Sequence, residues 1–413
     1  MPKFATLDQE PLLSAKLKVI GIGGGGCNAI ESMIKKGLSG VEYVAINTDA
    51  QVLDKSSANH KIQIGANLTK GLGAGADPNV GKKAIEEDRE KLTKVLEGSD
   101  MVFVTAGMGG GTGTGGAPII ASIAKSLGAL VIGIVTKPFR WEGKKRMLNA
   151  EEGINELRQY VDSLIVIPNE RILNILDDSA GAFKAFDKPN EVLHEATRGI
   201  AEIITVSGII NVDFADVRSV MNHSGEALMG CGIASGENRA EEAAQKAISS
   251  PLLEGVSIKG AKNILLNVTA SSNLTMAEIN EGNQIIYDAA GEEANIIFGL
   301  VQKEEMNEYV SYTVIATGFN SPNGVNHTSL PSSSHEENMK SQEKVAKGFS
   351  FGNFEIDENA DLEVPTFMRI QSAKKALDQN PVSQTGFNFK EDAVDKDDIE
   401  DDDSSSFLRM MMD

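Results

Sequence analysis

The sequence has few cysteines, no long apolar runs and too little positive charge to balance its acids. Among its 413 residues only Cys27 and Cys231 carry thiols. Two cysteines make no disulfide framework and no metal-ligand spacing, so they are read as reduced thiols, and no residue is assigned to a metal. No apolar run approaches the ~20 residues of a spanning helix, and the opening MPKFATLDQEPLLSAK holds no apolar signal segment. The expectation is a cytoplasmic protein that does not insert directly into a membrane. Lys and Arg number 39 against 59 Asp and Glu, a net charge of −20. A phosphate backbone needs a basic footprint, so direct nucleic-acid binding is not expected. Half of that excess falls on 320–413, where 19 acids meet 9 bases.

Glycine is plentiful, and it is clustered. One cluster, GIGGGG (Gly21 to Gly26), follows the apolar run KLKVI. A second, AGMGGGTGTGGAP (Ala106 to Pro118), has seven glycines in thirteen residues and follows MVFVT. Across 17–136 short β-branched runs alternate with helical patterns, which predicts a parallel sheet covered by helices. Ligands of such sheets bind beyond the carboxyl ends of the strands, where both clusters fall.

The first cluster satisfies Gly-x-Gly-x-x-Gly, with Asp49 near the end of the next run, so a nicotinamide-dinucleotide dehydrogenase is one reading. That scheme has no use for a second glycine-rich turn. Neither cluster leads into Gly-Lys-Ser/Thr, so a Walker loop is excluded. What remains is several loops sharing one triphosphate. Glycine lets backbone N–H groups reach phosphate oxygens, a helix opening at Thr114 to Pro118 adds its dipole, and Thr112 and Thr114 offer hydroxyls.

Further along, NEVLHEATRGIAEIITVSG has apolar residues at helical spacing and is expected to connect two domains. After it, KNILLNVTA and YVSYTVIATGF read as strands around helical segments, a smaller α+β domain ending near Phe319. Beyond that point the composition is too polar to fold alone. The expected organisation is an N-terminal extension (1–16), a nucleotide-binding domain (17–189), a central helix (190–208), an α+β domain (209–319), a disordered linker (320–360), a docking peptide (361–377) and an acidic tail (378–413). For the acidic tail two readings stand, a brake on lateral bundling and an inert terminus.

The motifs GGGTGTG, GGGGCNA, NTDAQ, GLGAGADP, PFRWEGKKR, NVDFADV and AEEAAQKAISSPLLE together make the chain resemble the FtsZ family of bacterial tubulin-like cell-division GTPases, from Lys16 to Phe319. The resemblance implies a tubulin-like α/β fold: a Rossmann-like GTP-binding domain joined by a central helix to the α+β domain. It implies GTP and GDP as ligands, with Mg²⁺ on the phosphates. It puts the phosphates against Gly24, Gly25, Gly26, Cys27 and Asn28, and against Gly109, Gly110, Gly111, Thr112, Gly113 and Thr114. Ala74, Gly75, Ala76 and Asp77 would face the γ-phosphate. Glu142 becomes the ribose contact and Arg146 a second site residue, although their spacing alone equally describes an exposed i,i+4 ion pair. Asn169, Phe186 and Asn190 would take the base, with Glu191 beside them.

Asp213 and Asp216, three residues apart in NVDFADV, read from spacing as a helix start with Asp213 as N-cap. The resemblance implies instead that Asn211, Asp213 and Asp216 enter the next copy's nucleotide site and orient water there. Self-association head to tail, at a midcell division ring, follows from the same resemblance. Another tubulin-like filament shares all of this except the tail. There EVPTFMR resembles the family's docking peptide, with Pro365, Phe367, Met368 and Arg369 meeting membrane tethers and division regulators.

Overall fold

The structure, a computed structural model, describes residues 15–173, 181–206, 208–210, 212–253 and 257–319, with only the backbone of residues 173, 182–184, 186 and 251. The expected linker, docking peptide and acidic tail lie outside these residues, as does Asn211.

Ten strands form one sheet. The first six are β1 (Leu17–Ile22), β2 (Val41–Asn47), β3 (His60–Gln63), β4 (Met101–Gly107), β5 (Leu130–Lys137) and β6 (Ser163–Pro168). They are followed by β7 (Gly225–Ser235), β8 (Asn263–Ala270), β9 (Asn295–Gln302) and β10 (Tyr309–Thr317). The spatial order is β3-β2-β1-β4-β5-β6-β7-β10-β8-β9. Pairing among the first six is parallel, and the buried runs of β1, β4 and β5 are nearly continuously apolar, as strands covered on both faces must be. β6 joins β7 through three parallel pairs, Ser163–Gly225 to Ile165–Ala227. β10 then runs antiparallel to both β7 and β8.

The strand period of two divides the apolar residues between faces. Val19, Phe103 and Ile132 point to one side, where they meet Met33 and Ile200. Ile20, Val102 and Val104 point to the other and meet Ile85 and Ile120. A third core gathers Tyr312, Val314, Ile264 and Ala243.

The helix expected over 190–208 runs Ala182–Thr205 and passes through Pro189. Leu193, Ala196, Ile200 and Ile203 are buried at helical spacing, and the gain from that face outweighs the single hydrogen bond a proline removes. Extended backbone at Val206 ends it. Gly199 lets it lie flush on β10: a Cβ there would sit 2.6 Å from the Thr313 methyl.

In register, Ile22 of β1 stands between Ile46 of β2 and Ala106 of β4. The carboxyl ends of these strands therefore share one edge. Helices Gly23–Lys35 and Thr112–Ser126 both begin there. The chain reverses its direction of travel across the sheet at β1, and that switch point opens a crevice.

Candidate nucleotide site

The crevice is a cavity of about 250 Å³. Gly24, Gly25 and Asn28 line it from the first cluster, and Gly110, Gly111, Thr112 and Gly113 from the second. Ala74, Gly75 and Ala76 form a third wall, and Glu142, Arg146, Asn169 and Asn190 close the far side.

The two glycine clusters also pack on each other. A Cβ on Gly23, whose φ is +72°, would lie 2.8 Å from the Gly113 amide nitrogen, and one on Gly115 would lie 2.0 Å from the Pro78 carbonyl. Bare backbone is what brings helices Thr112–Ser126 and Pro78–Glu87 together and leaves amides along the cavity. Gly26 belongs to this packing rather than to the lining, since a Cβ there would meet the Thr105 carbonyl at 2.6 Å.

Other expected residues take supporting places. The Gly109 N–H donates to Thr114 Oγ1 at 2.8 Å, so this pair braces the turn, and neither residue lines the cavity. Asp77 caps helix Pro78–Glu87 by accepting from the Asn79 N–H at 2.9 Å. Cys27 faces away from the cavity: its buried thiol lies 3.8 Å from the Ile46 carbonyl, and burial pushes its pKa up to about 12.

Glu142 holds the bend after β5. Its carboxylate accepts from the Phe139 N–H and from Arg146 Nη1, each at 2.8 Å. The i,i+4 ion pair and the cavity position are thus both present. Asn169 Oδ1 is buried without a hydrogen-bond partner among the described residues, which a ligand's donor would supply. Asn190 Nδ2 donates to Asp187 at 3.3 Å. Glu191 turns outward to Lys188 at 2.8 Å and Lys36 at 3.2 Å. Partial burial would raise its pKa, but these two ammonium groups hold it below the ordinary carboxylate value.

Residues 16–177 match the family model of the Tubulin/FtsZ family GTPase domain, and 225–320 match that of the FtsZ family C-terminal domain. An empty FtsZ dimer from M. jannaschii is 45% identical, with a TM-score of 0.70, over 74% of this chain and 88% of that one. The chain belongs to the Tubulin/FtsZ family. A mutant of the same M. jannaschii protein gives 44% identity and a TM-score of 0.71 over 74% of this chain and 92% of that one. The GTPγS-bound protofilament of CetZ2 from Haloferax volcanii shares the fold at 19% identity, with a TM-score of 0.61 over 73% and 92% of the two chains. As a Tubulin/FtsZ GTPase the chain binds GTP and GDP, hydrolyses GTP and is an FtsZ-like filament protein.

In this family member the two aspartates stand far from the cavity. Asp213 takes the N-cap position of helix Phe214–Met221, yet its carboxylate accepts no cap hydrogen bond. Both Asp213 and Asp216 are exposed, and among the described residues neither carboxylate has a partner. Arg218 on the same helix donates to the Gly128 carbonyl at 2.8 Å, just before β5 begins, whereas Thr136 and Pro138 at the other end of β5 line the cavity. Eight strand residues separate the two ends by roughly 25 Å.

Several lining residues were not singled out by the sequence: Asn47, Met108, Thr136 and Phe139. The first three sit at or just past strand ends, so the rule that ligands lie beyond carboxyl ends could have found them. Among the described residues no helix is long and apolar enough to cross a membrane.

Proposed function

We propose that this chain polymerises head to tail, and that GTP held in the cavity of one copy is hydrolysed with Asp213 and Asp216 of the next. The observation that carries this reading is the length of β5 between the cavity and two exposed carboxylates that have no partner among the described residues. A group that orients water must come within hydrogen-bond reach of it. Roughly 25 Å of rigid strand denies that within one copy. Asn211, outside the described residues, is proposed to share the task.

In this mechanism the glycine walls present N–H groups and two helix N-termini to the phosphates. Glu142, braced by the Phe139 N–H and Arg146, accepts from the ribose. Asn169 and Asn190 pair with the guanine edge, and Phe186 is proposed to meet the base from the helix that carries Asn190. Among the described residues Asp49 and Glu142 line the cavity against a single base, Arg146, so the phosphates find little neutralising charge there. A cation fits that deficit. Mg²⁺ bound together with the nucleotide would supply the missing positive charge there. The carboxylates of the neighbouring copy then orient the attacking water by position and charge.

We further propose that the filament serves a cytoplasmic division ring at midcell. The 45% identity to FtsZ supports this role, against 19% to CetZ2, and so does the resemblance of EVPTFMR to a tether-docking peptide through Pro365, Phe367, Met368 and Arg369. The direct test is the dependence of turnover on protein concentration. GTP hydrolysed per subunit should be near zero in dilute protein and rise at the concentration where light scattering reports filaments. A rate per subunit that is constant through that point would refute an active site shared between copies.

A further inference from the structure

We infer that Thr48 is a positioning residue for the phosphate end of the cavity: it donates its hydroxyl hydrogen to Thr112, which frees the Thr112 hydroxyl hydrogen for a phosphate oxygen. The inference rests on the placement of the phosphates against the second glycine cluster.

Thr48 directly follows β2 and is 0% exposed. Its Oγ1 lies 2.7 Å from Thr112 Oγ1, and both atoms are buried. Geometry alone leaves the direction open, because each hydroxyl can donate or accept, but only one hydrogen lies between the two oxygens. The surroundings decide it. Among the described residues no third group bonds to either hydroxyl. If Thr112 donated, the Thr48 hydrogen would be enclosed with no acceptor, an arrangement that folded interiors avoid. If Thr48 donates, its hydrogen is used, and the hydrogen left over belongs to Thr112, which lines the cavity. Phosphate oxygens are strong acceptors, and a donor already aimed at them loses little freedom on binding.

Thr48 is itself held in place. The Thr69 hydroxyl donates to the Gly65 carbonyl at 3.1 Å and reaches the Thr48 carbonyl at 3.4 Å, sharing one hydrogen between them, and its oxygen accepts from the Gly71 N–H at 3.3 Å. Ala50 N–H donates back to the Gly71 carbonyl at 3.3 Å, and Asp49 forms a bridge with Leu72. These contacts fix the turn that leads into Ala74, Gly75 and Ala76. One residue thus ties the end of β2 to two walls of the cavity, and only its hydroxyl reaches the wall that bears Thr112.

The test compares dissociation constants for GTP and for guanosine, which lacks phosphates, in the wild type, Thr48→Val, Thr48→Ser, Thr112→Val and the double valine variant. Thr48→Val should weaken GTP about threefold to tenfold, the scale of a side chain left to be ordered on binding and less than the loss in Thr112→Val, and leave guanosine unchanged. Thr48→Ser should restore GTP affinity, and the double variant should be no weaker than Thr112→Val alone, because Thr48 acts through Thr112. Wild-type GTP affinity in Thr48→Val, an equal loss for guanosine, or a double variant that loses the product of the two single losses would each overturn the inference. If Thr48→Val does not fold, Thr48→Ala against Thr48→Ser makes the same comparison: a phosphate-dependent loss in the alanine variant alone supports it, and no difference overturns it. A wild-type protein that binds GTP no better than guanosine would instead remove the phosphate placement itself.

Discussion

The two ends of β5 differ in what their polar groups do. At the carboxyl end Glu142 spends its oxygens on the Phe139 N–H and Arg146, Asp49 caps the helix Ala50–Lys55, and Thr114 holds the Gly109 N–H. At the amino end Asp213 occupies an N-cap position without capping, and Asp216 stands exposed beside it. On the proposed reading the first arrangement would hold a ligand with groups whose own positions are already fixed. The second leaves two carboxylates hydrated and uncommitted, a state that costs a lone copy nothing and matters only when something docks against it. On this account one copy carries a binding half-site at one edge of the sheet and a catalytic half-site at the other.

The largest effect should come from separating the two halves by mutation. Asp213→Ala is expected to lower GTP turnover by about 100-fold or more, the scale of a lost water-orienting or charge-stabilising group. Its GTP affinity should stay within about twofold of the parent, since the cavity holds no part of Asp213. Phosphate release and equilibrium binding, measured on the same preparation, check both.

The next effect concerns the packed glycines of the cavity end. Gly115→Ala places a methyl carbon 2.0 Å from the Pro78 carbonyl, where backbone must move. Overpacking of this kind costs about 1–3 kcal/mol, and the shift of the wall that follows should weaken GTP about tenfold. Unchanged melting temperature and GTP affinity would mean that the two helices are not held by that contact.

Much of this was legible in the sequence, and the reasons are local. β1, β2, β4 and β5 announce themselves as short β-branched runs, and seven glycines between Ala106 and Pro118 cannot be mistaken for an ordinary turn. What could not be read depends on residues distant in the chain. Whether a glycine lines the cavity, as Gly25 does, or packs against β4, as Gly26 does, is decided by which strand lies beside it. The inward turn of Cys27 to Ile46, the three pairs that join β6 to β7, and the early start of helix Ala182–Thr205 are likewise set by tertiary contact rather than by local pattern.

A smaller effect should appear in the helix between the two ends. His194 is buried there, its Nδ1 has no hydrogen-bond partner among the described residues, and its pKa is pushed down to about 3, first by burial and then by Arg198, Lys36 and Lys303, with Glu191 acting in the opposite sense. The folded state therefore disfavours its protonation. Stability from this group is complete above the unfolded value of about 6.5 and is lost as pH falls from there toward 3. Between pH 6.5 and pH 5 the loss should be on the order of 1–2 kcal/mol, and His194→Gln should flatten the dependence of melting temperature on pH over that window. A parent and variant with parallel profiles would show that this histidine does not report on the packing of the helix.

The central claim is that two copies make one active site, and complementation tests it most directly. Asp213→Ala keeps an intact cavity, and Asn169→Ala, chosen to lose guanine binding, keeps an intact pair of aspartates. Each alone should turn over little GTP. Mixed, the aspartates of the second should meet the filled cavity of the first, and the account predicts that turnover reappears and rises with the fraction of mixed contacts. A mixture as inactive as its components, with both chains shown by co-sedimentation to share the same filaments, would contradict it.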